Sequence, residues 1–319
     1  MEAVSSPFRD PSLRALDPCK FRDPAVTATG EPRASVTLDR LRTLWLNTGT
    51  LCNLACKTCY IDSSPRNDAL IYLSLSEAER FLDELTEAIE IGFTGGEPFM
   101  NPSIIPMLES ALRRGHRVLV LSNAMRPMRR HEQAIAALAA GYPGMLTVRV
   151  SLDHHTAEAH EAERGAGAWA KALDGVRWLA ANCIPLAIAG RSLPREPEAA
   201  ARRGYAALFR ALGLELDAAD PRDLVLFPEM DALADVPEIT TACWDILGLT
   251  PAMAMCSSSR MIVHRKGRER AEVAACTLLP FDEQFLLGGS LREARRTVAL
   301  NHPHCARFCV LGGASCSAG

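Results

Sequence analysis

The sequence predicts an α/β fold, a partial (βα)6 TIM-like barrel with a small C-terminal Cys-rich β-hairpin/helix extension. Three observations predict it. Between residues 42 and 227, short apolar runs alternate with amphipathic stretches, the pattern of repeated βα units around a parallel sheet. A chain of 319 residues, 48% hydrophobic and 23% charged, is large enough to bury a barrel-sized core. The polar, Gly- and Cys-bearing segments follow the apolar runs, and a barrel of this kind carries its chemistry on the loops after its strands.

Residues 1–38, rich in Pro, Asp and Arg without periodicity, read as an irregular N-terminal arm that drapes over the barrel or moves freely. Residues 42–47 form the first strand. A helix then starts near Ser76, where Ser76 and Glu79 have capping-box spacing. Strands follow at 89–94, 116–122, 145–152, 184–189 and 224–227, with helices at 104–114, 131–140, through Trp169 and Trp178, and at 198–212. Six repeats leave the barrel open-sided, with a wide mouth. After Pro228 the pattern changes: residues 259–264 and 272–276 bracket a Lys266-Gly267 turn as a β-hairpin, and a short helix starts at Gly288. Three regions result: the arm at 1–38, the core partial barrel at 39–230, and a Cys-rich domain at 231–319.

Composition narrows the function. A net charge of −3 with no long basic block gives no electrostatic footprint for nucleic acid. Residues 1–24 lack the apolar core of a signal peptide, and no later stretch approaches a membrane span. The chain reads as cytoplasmic. Eleven Cys without a secretion signal point to metal ligation or redox chemistry rather than disulfides. Cys19, Cys183 and Cys243 stand apart and read as small buried apolar residues. His154 and His155 read as a solvated pair.

The other cysteines are grouped. Cys52, Cys56 and Cys59, at C-x3-C-x2-C spacing after the first strand, place three thiols on one short loop that can converge on a soft metal centre. A [4Fe–4S] cluster normally takes four Cys, so three leave one iron open. A structural zinc site is usually closed by four ligands, and no fourth Cys or His follows nearby. Gly95-Gly96-Glu97-Pro98 ends the second strand, Ser122-Asn123 the third and Ser151-Leu152-Asp153 the fourth, so all face one rim. Ser151 and Asp153 also suit capping of the following helix.

This ordered set resembles the radical S-adenosylmethionine (radical SAM) superfamily over about residues 40–230. The resemblance implies that Cys52, Cys56 and Cys59 hold a [4Fe–4S] cluster whose remaining iron chelates S-adenosylmethionine, and that reduction releases a 5′-deoxyadenosyl radical. It implies that Gly95 and Gly96 let the backbone approach the methionyl part, that Glu97 accepts from its ammonium, and that Pro98 stiffens the loop exit. Asn123, Ser151 and Asp153 would bond the ribose or the methionine end, and Arg164 would pair with the carboxylate. Many family members have an aromatic residue before the third cysteine; here it is Thr58, and Tyr60 is the candidate substitute for adenine packing.

The tail, with Cys256, the hairpin, Cys276 and Cys305-x3-Cys309-x6-Cys316, resembles the auxiliary-cluster tail of the SPASM/twitch group. That implies a second, auxiliary [4Fe–4S] cluster, with five thiols for four places; a thiol-zinc site, with His302 and His304 beside Cys305, is the alternative. The implied activity is hydrogen-atom abstraction from a small molecule or peptide, with an electron donor such as flavodoxin or ferredoxin. The short arm favours a small molecule or a peptide presented by a partner. The competing class is a non-catalytic iron–sulfur or zinc-binding module on the same fold, which leaves Gly95-Gly96-Glu97-Pro98 unexplained.

Overall fold

The structure, a computed structural model, describes residues 16–193, 196–228 and 235–313. Its elements are β1 (Ser35–Val36), β2 (Thr43–Asn47), α1 (Leu75–Leu82), β3 (Glu90–Thr94), α2 (Ile104–Arg113), β4 (Arg117–Ser122), α3 (Arg126–Arg129), α4 (Glu132–Gly141) and β5 (Leu146–Ser151). There follow α5 (Ala157–Arg164), α6 (Ala168–Ala181), β6 (Leu186–Arg191), α7 (Glu198–Leu212), β7 (Leu224–Phe227), α8 (Cys243–Leu247), β8 (Ser259–Val263), β9 (Glu272–Ala274) and β10 (Val298–Ala299). The chain ends its described part with a π-helical turn, Cys305–Val310.

One eight-stranded sheet, ordered β7-β6-β5-β4-β3-β2-β8-β9, forms the frame. β2 to β7 pair parallel in sequence order, which is the partial barrel the alternating pattern predicts. Strands in such a sheet are covered on both faces and so read as near-continuous apolar runs. All five residues of β2 are buried accordingly. The register aligns the strand ends: Asn47 lies opposite Thr94, Ser122 opposite Val150, Ser151 opposite Ala189, and Arg191 opposite Phe227. Whatever follows those residues therefore emerges on one rim.

Three features differ from the expectation. The helix after the cysteine loop is capped by Ser74, not Ser76: Ser74 Oγ accepts from Glu77 N at 3.3 Å, and Glu77 accepts from Ser74 N. Both serines have the i,i+3 acidic partner. The earlier pair prevails because Glu77 also accepts from Ala271 N at 3.0 Å while Leu73 and Ala78 bury the flanking apolar contact. The hairpin of β8 and β9 joins the main sheet, with β8 parallel to β2. Sequence spacing could not show this, since the pairing spans more than two hundred residues of chain. The described part of the arm is ordered by packing: β1 pairs with β10, Ala34 and Val36 are fully buried, and Arg33 forms a buried ion pair with Glu238 at 2.5 Å. Among the described residues no helix is long and apolar enough to cross a membrane.

Candidate functional site

A cavity of about 170 Å³ opens at the rim where β2 to β7 end. Cys52, Cys56 and Cys59 line it, with Gly95, Gly96, Asn123, Ser151, Asp153, Arg164 and Tyr60. Sequence position thus scattered these residues over more than a hundred places, and the parallel register gathers them. Cys52 Sγ accepts from Leu54 N at 3.4 Å and Cys59 Sγ from Ser63 N at 3.3 Å, bonds that favour a thiolate. Burial works the other way. It pushes the Cys52 thiol up to about 12 and raises Cys56, on which Arg164 acts in the opposite sense. A metal that binds here must displace protons, and in doing so would gain ligands already oriented by the backbone.

Glu97 and Pro98 do not line the cavity. Glu97 is 1% exposed and its carboxylate accepts from Phe99 N at 3.2 Å, Ser122 Oγ at 2.9 Å and Asn123 N at 2.9 Å. It is the clamp that joins the loop after β3 to the loop after β4, and burial raises it to about 7. The two glycines also serve the frame. Gly95 has φ +137, and a Cβ there would lie 2.5 Å from Gly49 O; a Cβ at Gly96 would lie 2.5 Å from Leu51 C and 2.7 Å from Thr50 O. The missing side chains admit the backbone that leads into the cysteine loop, with Gly96 N donating to Gly49 O at 2.7 Å and Glu97 N to Leu51 O.

Asn123 donates to Asn53 Oδ1 at 2.9 Å and accepts from Met125 N, so it fixes the cysteine loop against the end of β4. Arg164 is held by two bonds to Asp153, at 2.6 and 3.0 Å. Burial pushes the Asp153 carboxyl up, but Arg164 and Arg191 outweigh it and hold it below the usual carboxylate range. Arg191, at the end of β6, escaped the sequence reading. Its guanidinium donates to Thr58 Oγ1 and, at 2.9 Å, to Thr58 O, and lies 5.4 Å from the Tyr60 ring centroid. Thr58 Oγ1 donates to Glu163 Oε2 at 2.8 Å. Thr58 is therefore a polar junction between the loop, α5 and β6, and the face of Tyr60 carries a guanidinium. Arg191 lies two residues past the predicted end of its strand and closes the observed one; a cation placed at the rim, where the other strand ends carry their polar residues, was the signal that could have found it.

A second cavity lies under the hairpin. Cys256, Cys276, Cys305 and Cys309 all line it, with His304; Cys316 lies outside the described residues. Burial raises the Cys256 thiol to about 11 and lifts Cys305 well above the thiol range, with Cys276, Cys309 and Cys256 adding to the latter. Among the described residues no three thiols of either set have sulfurs within 4.8 Å of one another. Of the isolated cysteines, Cys19 and Cys183 are exposed and Cys243 half-buried, which overturns the expectation that they are core residues. The reading of His154 and His155 as solvated also fails, since His154 is 7% exposed and His155 half-buried.

Residues 46–191 match the sequence profile of the Radical SAM superfamily. Curated relatives include the antilisterial bacteriocin subtilosin biosynthesis protein AlbA of Bacillus subtilis, 30% identical over 43% of this chain and 30% of that protein. Another is the mycofactocin maturase MftC of Mycobacterium ulcerans, 33% identical over 41% of this chain and 34% of that protein. The matched part is thus about a third of the length of these relatives. Among solved structures, Streptococcus suis SuiB bound to S-adenosylmethionine superposes with a TM-score of 0.57 at 11% identity, covering 78% of this chain and 63% of that one. The structure of anSMEcpe with bound AdoMet gives 0.55 at 14% identity, covering 87% of this chain and 81% of that one. At such identities the likeness is one of fold.

Proposed function

We propose that this chain, whose residues 46–191 match the Radical SAM superfamily, is a radical SAM enzyme that abstracts a hydrogen atom from a peptide substrate, with an auxiliary iron–sulfur cluster in its Cys-rich extension. The observation that carries the reading is the convergence of Cys52, Cys56 and Cys59 on the cavity that Gly95, Gly96, Asn123, Ser151, Asp153 and Arg164 also line. The donor set fits a cluster better than a single ion. Four thiolates about zinc at 2.3 Å sit roughly 3.8 Å apart, whereas the sulfurs of each set here are more widely spread.

When bound, a [4Fe–4S] cluster with S-adenosylmethionine supplies one-electron cleavage of the sulfonium and so a 5′-deoxyadenosyl radical. The residues of the chain do the rest. Cys52, Cys56 and Cys59 would be the three cluster ligands, leaving one iron for the cofactor. Glu97 and Asn123 hold the cysteine loop against the ends of β3 and β4. Ser151 and Asp153 present polar atoms to the cavity, and the Asp153–Arg164 pair fixes the charge on that wall. Cys256, Cys276, Cys305 and Cys309, which line the second cavity, would ligate the auxiliary cluster. The division into an arm at 1–38, a core at 39–230 and an extension at 231–319 belongs to the same proposal.

A peptide substrate is supported by relatives named as a bacteriocin biosynthesis protein and a mycofactocin maturase, and by a fold neighbour solved with its precursor peptide SuiA. The test is anaerobic reconstitution. About eight iron per chain are expected, four for each cluster, with reductant-dependent release of 5′-deoxyadenosine that Cys56→Ala abolishes. Metal without deoxyadenosine, unchanged by Cys56→Ala, would return the chain to the non-catalytic class.

A further inference from the structure

The histidine pair after Asp153 is left over by the proposed chemistry. His154 Nδ1 accepts from Thr156 N at 3.1 Å and lies 2.8 Å from Thr156 Oγ1, so its Nε2 carries the proton and donates to Glu196 Oε2 at 3.1 Å. His155 stacks on it, ring centroids 4.0 Å apart and tilted by 33°. The His155 Nε2 edge presses on Gly204 of α7, where any Cβ would collide with the ring, and Tyr205 closes a further side at 5.6 Å. The nitrogen that remains, Nδ1, is buried and has no hydrogen-bond partner. A simple His154–Glu196 ion pair explains two of these groups and leaves the third, a buried polar atom, unsatisfied.

We propose that His154, His155 and Glu196 form a mononuclear site for a divalent transition-metal cation of the zinc class, separate from both cysteine cavities. One ligand atom from each lies within 4.8 Å of the other two, so a modest closure brings them to the 2.0–2.2 Å that nitrogen and carboxylate ligands adopt around zinc. Two imidazoles and a carboxylate suit zinc, and also iron or nickel, better than magnesium or calcium. The proton balance is internal. When the cation takes the Nε2 position of His154, the proton moves from Nε2 to Nδ1; Nδ1 then gives up the bond it accepts from Thr156 N and donates instead to Thr156 Oγ1, the outer partner that orients a metal-bound imidazole. His155 ligates through Nδ1 and Glu196 through a carboxylate oxygen. The fourth position is left to water. Such a site ties the loop after β5 to the segment entering α7, directly behind Asp153 on the cavity wall.

The experiment titrates the full, anaerobically reconstituted and chelator-washed chain with Co2+ as the probe, followed by displacement with Zn2+. The wild type is expected to bind one Co2+ with ligand-field bands and no thiolate-to-cobalt charge transfer. His155→Ala and Glu196→Gln should each weaken binding by more than the roughly tenfold that loss of an outer partner costs. Glu158→Gln, an exposed neighbour on α5, should bind as the wild type does. Glu196→Gln keeps the size of the side chain and so separates loss of a ligand from loss of fold. No bound cobalt, cobalt with thiolate charge transfer, or equal affinity in wild type and Glu196→Gln would overturn the assignment.

Discussion

Glu97→Gln separates a structural clamp from a cofactor contact. The wild-type carboxylate accepts three hydrogen bonds in a buried site. Glutamine keeps one carbonyl oxygen, and its amide must face either Asn123 N–H or Phe99 N–H, donor against donor. A buried backbone N–H deprived of its acceptor costs about 1–3 kcal/mol. Against that stands the cost of the charge. Desolvation raises Glu97 from 4.5 to about 7, a shift worth roughly 3 kcal/mol. The sign follows from linkage: between these two values the folded state binds more protons than the unfolded one, so wild-type stability falls as pH rises from 4.5 to 7. Glutamine has no such dependence. At pH 4.5 the folded wild type is itself protonated, but its hydroxyl oxygen still accepts where the amide nitrogen cannot, so urea unfolding of the metal-free proteins should show the variant less stable by up to about 1–3 kcal/mol. The gap should close or reverse by pH 8, by roughly 3 kcal/mol in all. A stability difference that does not change with pH, or that grows with pH in favour of the wild type, would refute this account of the carboxylate.

Three other outcomes are expected. Gly96→Ala puts a Cβ against the backbone at Thr50 and Leu51, so it should cost roughly 1–3 kcal/mol by overpacking and displace the cysteine loop; iron content measured after reconstitution should fall although the circular-dichroism spectrum of the fold persists. Cys305→Ser should lose about four iron per chain and keep reductant-dependent 5′-deoxyadenosine, whereas Cys56→Ser should lose the deoxyadenosine; equal loss of both in the two variants would contradict two independent cysteine sites. His160 is fully buried against Trp169 with both ring nitrogens unpartnered, and burial lowers it to about 4. The unfolded chain then binds more protons than the folded one between pH 4 and 6.5, so stability is lost as pH falls through that window. His160→Leu should be about 2 kcal/mol more stable than the wild type at pH 5 and closer to it at pH 8, read by chemical denaturation.

The barrel was legible because its strands are buried on both faces, and that burial writes an apolar run into the sequence for each of them. Helix α7 and strand β7 begin and end where periodicity places them. Motifs at strand ends were legible for the same reason, since a parallel register carries every strand end to one rim. What the sequence hid was pairing at long range. Nothing in residues 259–263 says that they add to β2, and nothing in residue 35 says that it meets residue 299. Side-chain roles were hidden too. Gly95 and Gly96 line the rim cavity, and the sequence did not show that they also admit the backbone of the cysteine loop, or that Glu97 accepts from the loop after β4. Thr58 looked like a missing aromatic. It is the hydroxyl that receives Arg191 and reaches Glu163.

These corrections bear on how the two cysteine sites communicate. Tyr60 follows Cys59 directly, and its ring meets Phe308 edge-on at 6.1 Å. Phe308 lies between Cys305 and Cys309 in the π-helical turn and also packs on Phe227, which lines the first cavity. Phe308 is fully buried, so it cannot shift without moving the turn that carries two thiols of the second site. Close-packed interiors transmit such displacements rather than absorb them. Whatever orders the C-terminal thiols therefore also orders the Tyr60 wall of the rim cavity, and Arg191 above Tyr60 extends that wall to Thr58. Phe308→Ala would remove the contact and leave every thiol in place, with a core cost of about 3–5 kcal/mol. Phe308→Leu is the milder form. If the wall is shared, the leucine variant should bind its full iron and yet bind S-adenosylmethionine more weakly in equilibrium titration; unchanged affinity would show that the two sites are walled independently.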